Sequence, residues 1–242
     1  MTTALVIVGA VLVILVLSAA LADRLCATLA ERKASEYLTE PFGHPPTVRV
    51  HGTPFLTQAL RGRYRDITVS GGGLRIGEIA GATLDAHLHL ASLPPRELLG
   101  GRATALPCER VEGRLVLPYG EIARVSRVPG LALNYERDRL VASASLPIPG
   151  LGQVARVNGT AVLSVVDGVV WLRVRGLAVA GFSVPTLVIS QLLRALTVPI
   201  PLPPLPYGLR LDELRASASG LVVSGSADHV VFAAPPRNSA AV

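Results

Sequence analysis

The sequence predicts an α+β protein that is mostly β: a long, curved antiparallel sheet wrapped on one or two helices, preceded by an N-terminal apolar helix. Three observations predict it. An uncharged apolar run opens the chain, the hydrophobic period falls to two from Thr47 onward, and only short stretches later return to a helical period. Many long antiparallel strands with a few apolar helices fit a sheet curled around a helix, or a barrel.

The opening run, Thr3 to Ala22, reads TALVIVGAVLVILVLSAALA. At the helical rise it spans roughly 30 Å, the thickness of a bilayer's hydrocarbon core. It is either a retained membrane anchor or a signal cut after Ala20-Leu21-Ala22, an A-x-A-like site. No charged side chain precedes it, whereas Arg24, Arg32 and Lys33 follow, so the positive-inside rule alone would leave the C-terminal side in the cytoplasm. Residues 23–233 are expected to form a single β-rich domain and residues 234–242 a flexible tail.

Asp23 to Glu40 reads as a helix continuing from the apolar run and stopped by Pro41, Gly43, Pro45 and Pro46. Ala82 to Leu90 alternates apolar and polar without error, as a strand with one dry and one wet face does. Looser strands are expected at Arg63–Ser70, Glu109–Leu117, Arg139–Leu146, Ala155–Val166, Val169–Ala180, Leu209–Ala216 and Leu221–Phe232. Gly71-Gly72-Gly73, Asp167-Gly168 and Ser219-Gly220 punctuate them, and Asp167-Gly168 is a hairpin signal. Short helical pieces are expected at Pro94–Leu99 and Tyr119–Val125, and a longer one at Pro185–Val198 before the proline-rich passage that ends at Pro206. Stretches such as Ala161–Val166 and Gly168–Leu172 are apolar on both strand faces, which calls for a helix or an apolar cavity over the second face.

The chain is 50% hydrophobic but only 4% aromatic, and its net charge of +6 rests on arginine, with Lys33 the one lysine. The bases are scattered, which suits a basic surface that attracts anionic lipid or glycan. No basic stripe interleaved with aromatics argues for nucleic acid. Asp85, His87 and His89 share a face of one strand, a spacing that can chelate metal but more simply makes a solvated polar face. Gly150-Leu151-Gly152-Gln153-Val154-Ala155 opens a strand and not a helix, so it does not make a dinucleotide site. Asn158-Gly159-Thr160 fits a glycosylation sequon. No G-x-S-x-G, P-loop, H-E-x-x-H or C-x-x-C occurs, and Asp66, Asp85, Glu109 and Glu121 show no spacing that argues for acid–base work. The expectation is a binding protein with no catalytic residues, cofactor or metal. Cys26 and Cys108 would be free to pair as a disulfide outside the cytoplasm.

Several blocks carry a resemblance: the apolar start with Ala22-Asp23-Arg24, Val50-His51-Gly52-Thr53-Pro54-Phe55-Leu56-Thr57-Gln58, Gly62-Arg63-Tyr64-Arg65-Asp66-Ile67-Thr68-Val69, Val116-Leu117-Pro118-Tyr119, and Val198 to Leu211 with its Pro-Leu-Pro-Tyr-Gly-Leu-Arg-Leu end. In these the chain resembles the LmeA-like, actinobacterial phospholipid-binding family over roughly residues 20 to 233. The resemblance implies a protein on the outer, periplasmic side of the plasma membrane. It also implies binding of phospholipid, phosphatidylinositol or its mannosides, in support of cell-envelope lipid or lipoglycan maintenance. It further implies a fold similar to tubular lipid-binding domains, whose helix would be Asp23–Glu40 or Pro185–Val198. On that reading Phe55, Leu56, Leu84, Leu88, Leu192 and Leu196 line an apolar groove, and Arg61 and Arg63 meet the headgroup. The alternatives are an envelope scaffold that stabilises a membrane complex, or an enzyme acting on a mannosylated glycolipid.

Overall fold

The computed structural model describes residues 2–94, 105–126, 128–147, 154–166, 169–179, 197–200 and 210–233. One helix, α1 (Thr2–Phe42), runs through both the apolar segment and the stretch after it. Nothing in its sequence interrupts it before Pro41, and Gly43, in the left-handed conformation, closes it by bonding back to the Thr39 carbonyl. Its two halves have different surroundings. The large apolar residues between Ile7 and Leu21 are 51–65% exposed, whereas Ala27, Ala30, Ala34 and Leu38 pack against a sheet.

That sheet has six strands in the order β1-β2-β3-β4-β11-β10: β1 (Thr47–His51), β2 (Arg63–Ile76), β3 (Ile79–Ser92), β4 (Ala105–Leu117), β10 (Arg210–Ser217) and β11 (Gly220–Ala233). A second sheet runs β5 (Ala132–Glu136), β6 (Arg139–Pro147), β7 (Val154–Val166), β8 (Val169–Val179) and β9 (Val198–Ile200). All pairings are antiparallel, and among the described residues neither sheet closes into a barrel. Two short helices complete the described residues: α2 (Phe55–Arg61) and α3 (Tyr119–Val125).

Two apolar clusters follow. At one end, α1 and α2 cover the first sheet through Ala27, Val48, Phe55, Tyr64, Val69, Leu88, Cys108, Val111 and Val230. At the other, Ile79, Ala82, Leu117, Leu221 and Val223 of the first sheet meet Leu140, Val157, Leu172 and the α3 residues Ile122 and Val125. Tyr119 pins this end, its hydroxyl donating to the Ser217 carbonyl at 2.7 Å and accepting from the Ser217 amide at 3.0 Å.

Three expectations need correction. Gly71-Gly72-Gly73 does not end a strand: β2 runs through it to Ile76, with an irregular register between Gly71 and Leu74 that the glycines make sterically cheap. The Val50–Gln58 stretch, read only as a family block, runs into a helix, α2, that begins at Phe55. A two-residue hairpin at Arg137-Asp138, both at positive φ, adds β5, which the turn's non-glycine residues concealed. The β7–β8 pairing closes from Val166 to Val169 as the hairpin signal requires. Asp167-Gly168, residues 185–196 of the helix expected at Pro185–Val198, residues 95–99 of the turn expected at Pro94–Leu99, residues 201–206 and the tail at 234–242 lie outside the described residues, while Val198, expected to end that helix, opens strand β9. In the second sheet Val162, Ser164 and Trp171 are half-buried on the face opposite the core, beside exposed Arg173 and Arg175, so the two-faced apolar character is only local.

Candidate lipid-facing surface and membrane junction

The junction between the apolar helix and the sheet is built by the Gly52–Gln58 block. A helix begins with amide donors that have no partner inside it, and Pro54, which precedes α2, offers no side-chain cap. Asp23 supplies one from α1: its carboxylate accepts the amides of Phe55 at 2.9 Å and Leu56 at 2.7 Å, and it is 8% exposed. Gln58 ties the other side. Its Nε2 donates to the carbonyls of Gly52 at 2.8 Å and His51 at 3.3 Å, and its Oε1 accepts the Arg65 amide at 3.1 Å. Gly52 has φ +105, and a Cβ there would lie 2.7 Å from Gln58 Nε2, so the glycine makes room for the glutamine. The Thr53–Pro54 peptide is cis.

Of the residues expected to line a groove, Phe55 and Leu88 are buried in the same cluster, with the Phe55 and Tyr64 rings 6.2 Å apart. Leu84 is half-buried on the same face of β3, four residues from Leu88. Leu56 is 39% exposed on α2 and belongs to the surface, not to the core. Arg61 and Arg63 are exposed on either side of Gly62, which caps α2 in the left-handed conformation. Leu192 and Leu196 lie outside the described residues. Cys26 and Cys108 are free thiols, and both belong to the cluster between α1 and the sheet. Burial pushes the Cys108 thiol up to about 11.

The register of the first sheet shows how its apolar face is shaped. The row Ile67–Leu88–Val111–Ala227 belongs to the α1 cluster. Two rows on, Gly71–Leu84–Leu115–Val223 reaches the second cluster through Leu115 and Val223. Between them, on the same face, lies Val69–Ala86–Gly113–Gly225. On β3 and β4 these small residues lie between Leu88 and Leu84 and between Val111 and Leu115, and on β11 between Ala227 and Val223, so the apolar face is shallowest along Ala86, Gly113 and Gly225, a trough across the three strands. A Cβ built on Gly113 would meet nothing nearer than the Gly225 carbonyl, at 4.0 Å.

The opposite face is polar. Asp66, His89, Arg110 and Asp228 stand in one row, Thr68, His87, Glu112 and Ser226 in another, and Asp85 pairs across to Arg114. His89 Nδ1 lies 3.6 Å from Asp66 Oδ1 and His87 Nδ1 4.0 Å from it. Asp85, His87 and His89 thus belong to a charged, alternating surface. Open clefts of about 570 Å³ and about 490 Å³ flank Arg124 near α3. Arg124 is engaged there with Glu121, at 2.7 Å, and with the Glu78 carbonyl. Its guanidinium and the Ala80 amide hold the Glu121 carboxyl below the usual carboxylate range.

The blocks that build this junction and face extend along most of the chain, and the model of the LmeA-like phospholipid-binding family matches residues 21–226. The chain belongs to the LmeA-like phospholipid-binding family. Comparison with curated proteins and with solved structures gives no match. Membership implies phospholipid binding, and the family is a binding family and not one of enzymes.

Sequence reasoning found the family block but not what it builds. Asp23 and Gln58 act across the fold, Asp23 on amides 32 and 33 positions away, and no local pattern marks such a cap. The Ala86–Gly113–Gly225 row exists only once the strand register is known.

Proposed function

We propose that this LmeA-like protein holds a phospholipid by laying its acyl chains along the apolar face of the six-stranded sheet, on the extracytoplasmic side of a membrane in which residues 3–22 of α1 are seated. Phosphatidylinositol-type lipid is the cargo class in this reading, and upkeep of envelope lipid or lipoglycan its role. The observation that carries it is the trough of Ala86, Gly113 and Gly225, with Leu88 and Val111 on one side and Leu84, Leu115 and Val223 on the other. An acyl chain fits such a strip because each methylene withdrawn from water contributes about 0.8 kcal/mol, so length along the trough converts directly into affinity. Exposed Arg61 and Arg63, beyond the Phe55 end of the face, supply guanidinium groups suited to a phosphate. The extracytoplasmic side rests on the family resemblance, since the flanking charges alone argue the other way.

The test is native mass spectrometry of the detergent-extracted full chain. Wild type is expected to retain phospholipid and to take up added phosphatidylinositol. Gly113→Leu, whose Cβ would meet nothing nearer than the Gly225 carbonyl at 4.0 Å, is expected to fill the trough, to melt like wild type and to lose at least about tenfold in retained lipid, the effect of roughly two excluded methylenes. A Gly113→Leu protein that stays folded and fully loaded would refute the trough as the binding strip.

A further inference from the structure

The end of the domain next to the anchor is marked by what it exposes. Asp23, the first residue past the apolar run, holds the first turn of α2, so α2 lies beside the point where α1 leaves the hydrocarbon. Leu56 and Leu60 are four residues apart on α2 and therefore share a face. They are 39% and 77% exposed, Leu60 being the most exposed of the large apolar residues among the described residues. On α1, Leu25 is exposed just beyond Asp23, and Val231, paired with Pro107, is exposed near the strand ends where Arg63 pairs with Ser92. Around them stand exposed Arg24, Arg61, Arg63 and Arg65. Exposed acids at this end, Glu109 and Asp228, lie further along the strands, and Asp23 is buried on the α2 amides.

We propose that α2 is a foot set into the surface of the anchor's own bilayer, with Leu56 and Leu60 among the upper acyl carbons and Arg24, Arg61 and Arg63 on the phosphates of anionic phospholipid. The inference rests on the reading that residues 3–22 are seated in that bilayer, and is independent of whether lipid lies in the trough. Three features favour a membrane over a protein partner. The patch is continuous with the anchor, it sits at the level where the apolar run ends, and it pairs leucine on one helical face with arginine at its rim, the composition of helices that lie in a lipid interface. A single crossing helix leaves a domain free to swivel. A second contact through α2 fixes which way the sheet faces, and places the Phe55 end of its apolar side against the lipid.

The test uses the full chain in nanodiscs made with brominated phosphatidylglycerol or brominated phosphatidylcholine, with tryptophan fluorescence as the readout. Trp171, the one tryptophan, belongs to the second sheet, at the end away from α2, and serves as the distant reference. In a Trp171→Phe background, Leu12→Trp reports the anchor and Leu60→Trp the foot. An interfacial depth of roughly 5–10 Å predicts that the Leu60→Trp indole is quenched about threefold or more over Trp171 in phosphatidylglycerol. Arg61→Gln with Arg63→Gln should bring that quenching down to the phosphatidylcholine level. If Leu12→Trp is quenched and Leu60→Trp is not, the foot is overturned while the anchor stands. If neither is quenched, both fall. An indole at Leu60 that bromine leaves bright but that is shielded from aqueous quencher would place a protein on the patch and overturn the proposal. Quenching unchanged by the two arginine substitutions would overturn the phosphate contact.

Discussion

Removing the Asp23 carboxylate tests the joint on which the arrangement of α1, α2 and the sheet depends. The substitution Asp23→Ala deletes the acceptor of two amides, from Phe55 at 2.9 Å and Leu56 at 2.7 Å, in a site where Asp23 is only 8% exposed. Hydrogen bonds to a charged group are worth about 1.5–3 kcal/mol each, but the two share one carboxylate and do not simply add, so about 3 kcal/mol is the loss to expect. Alanine is the better helix former by roughly 0.6 kcal/mol, which leaves a net cost near 2.5 kcal/mol. In a domain of this length each kcal/mol shifts Tm by about 2–4 °C, so Asp23→Ala should melt about 5–10 °C lower. The assay is thermal unfolding of the full chain in mild detergent, followed by circular dichroism. Asp23→Asn keeps one carbonyl oxygen and should recover about half of the loss. A drop of less than about 2 °C for Asp23→Ala, within the scatter of surface substitutions, would show that α2 is held by the packing of Phe55 and not by the carboxylate.

Other outcomes follow from the same geometry. Tyr64 has its hydroxyl buried with no hydrogen-bond partner among the described residues, whereas Tyr119 bonds both backbone groups of Ser217. Tyr64→Phe should therefore leave Tm unchanged or raise it, while Tyr119→Phe should cost about 1–2 kcal/mol in the same melt. Burial raises the pKa of both phenols above the ordinary 10.0, although the Ser217 bond partly offsets this at Tyr119. A folded pKa above the unfolded one means the folded state holds its proton longer. The associated stability is complete below pH 10 and lost as pH rises through the folded values, so melts taken across that range should fall, and fall less steeply in Tyr64→Phe. Gly220 has φ +142, and a Cβ there would lie 2.3 Å from the Leu117 carbonyl oxygen. Gly220→Ala should destabilise by about 3 kcal/mol or more, read as a collapse of soluble yield or a large fall in Tm.

Much of the fold was legible because its signals are local. Ala82 to Leu90 alternates cleanly, and β3 contains it. Tyr119–Val125 begins after a proline and is a helix over those same residues. The apolar run and Asp23–Glu40 lack any breaker and form one helix. What was hidden depends on partners distant in sequence. Gly71-Gly72-Gly73 looks like a turn until the partner strand β3 is seen to hold both sides of it in one ladder. Phe55–Arg61 is too short to show a helical period, and its cap comes from α1. For the binding surface, hydrophobicity pointed to Phe55 and Leu88, which do share a cluster. It could not point to Gly113, whose contribution is the side chain it lacks.

The edge strand β1 bonds on one side to β2 and on the other meets α1, where Glu31 accepts the Val50 amide at 2.8 Å and Ser35 donates to the Pro46 carbonyl at 2.6 Å. A bare strand edge is a template on which a second chain can add by strand pairing, and native proteins guard such edges. Here the guard is the same helix that begins in the apolar run. Loss of the helix between Asp23 and Phe42, by proteolysis or misassembly, would uncover the β1 edge and the apolar face beneath it together. The tether thus also acts against self-association, and truncation within that stretch should leave the domain prone to stack sheet upon sheet.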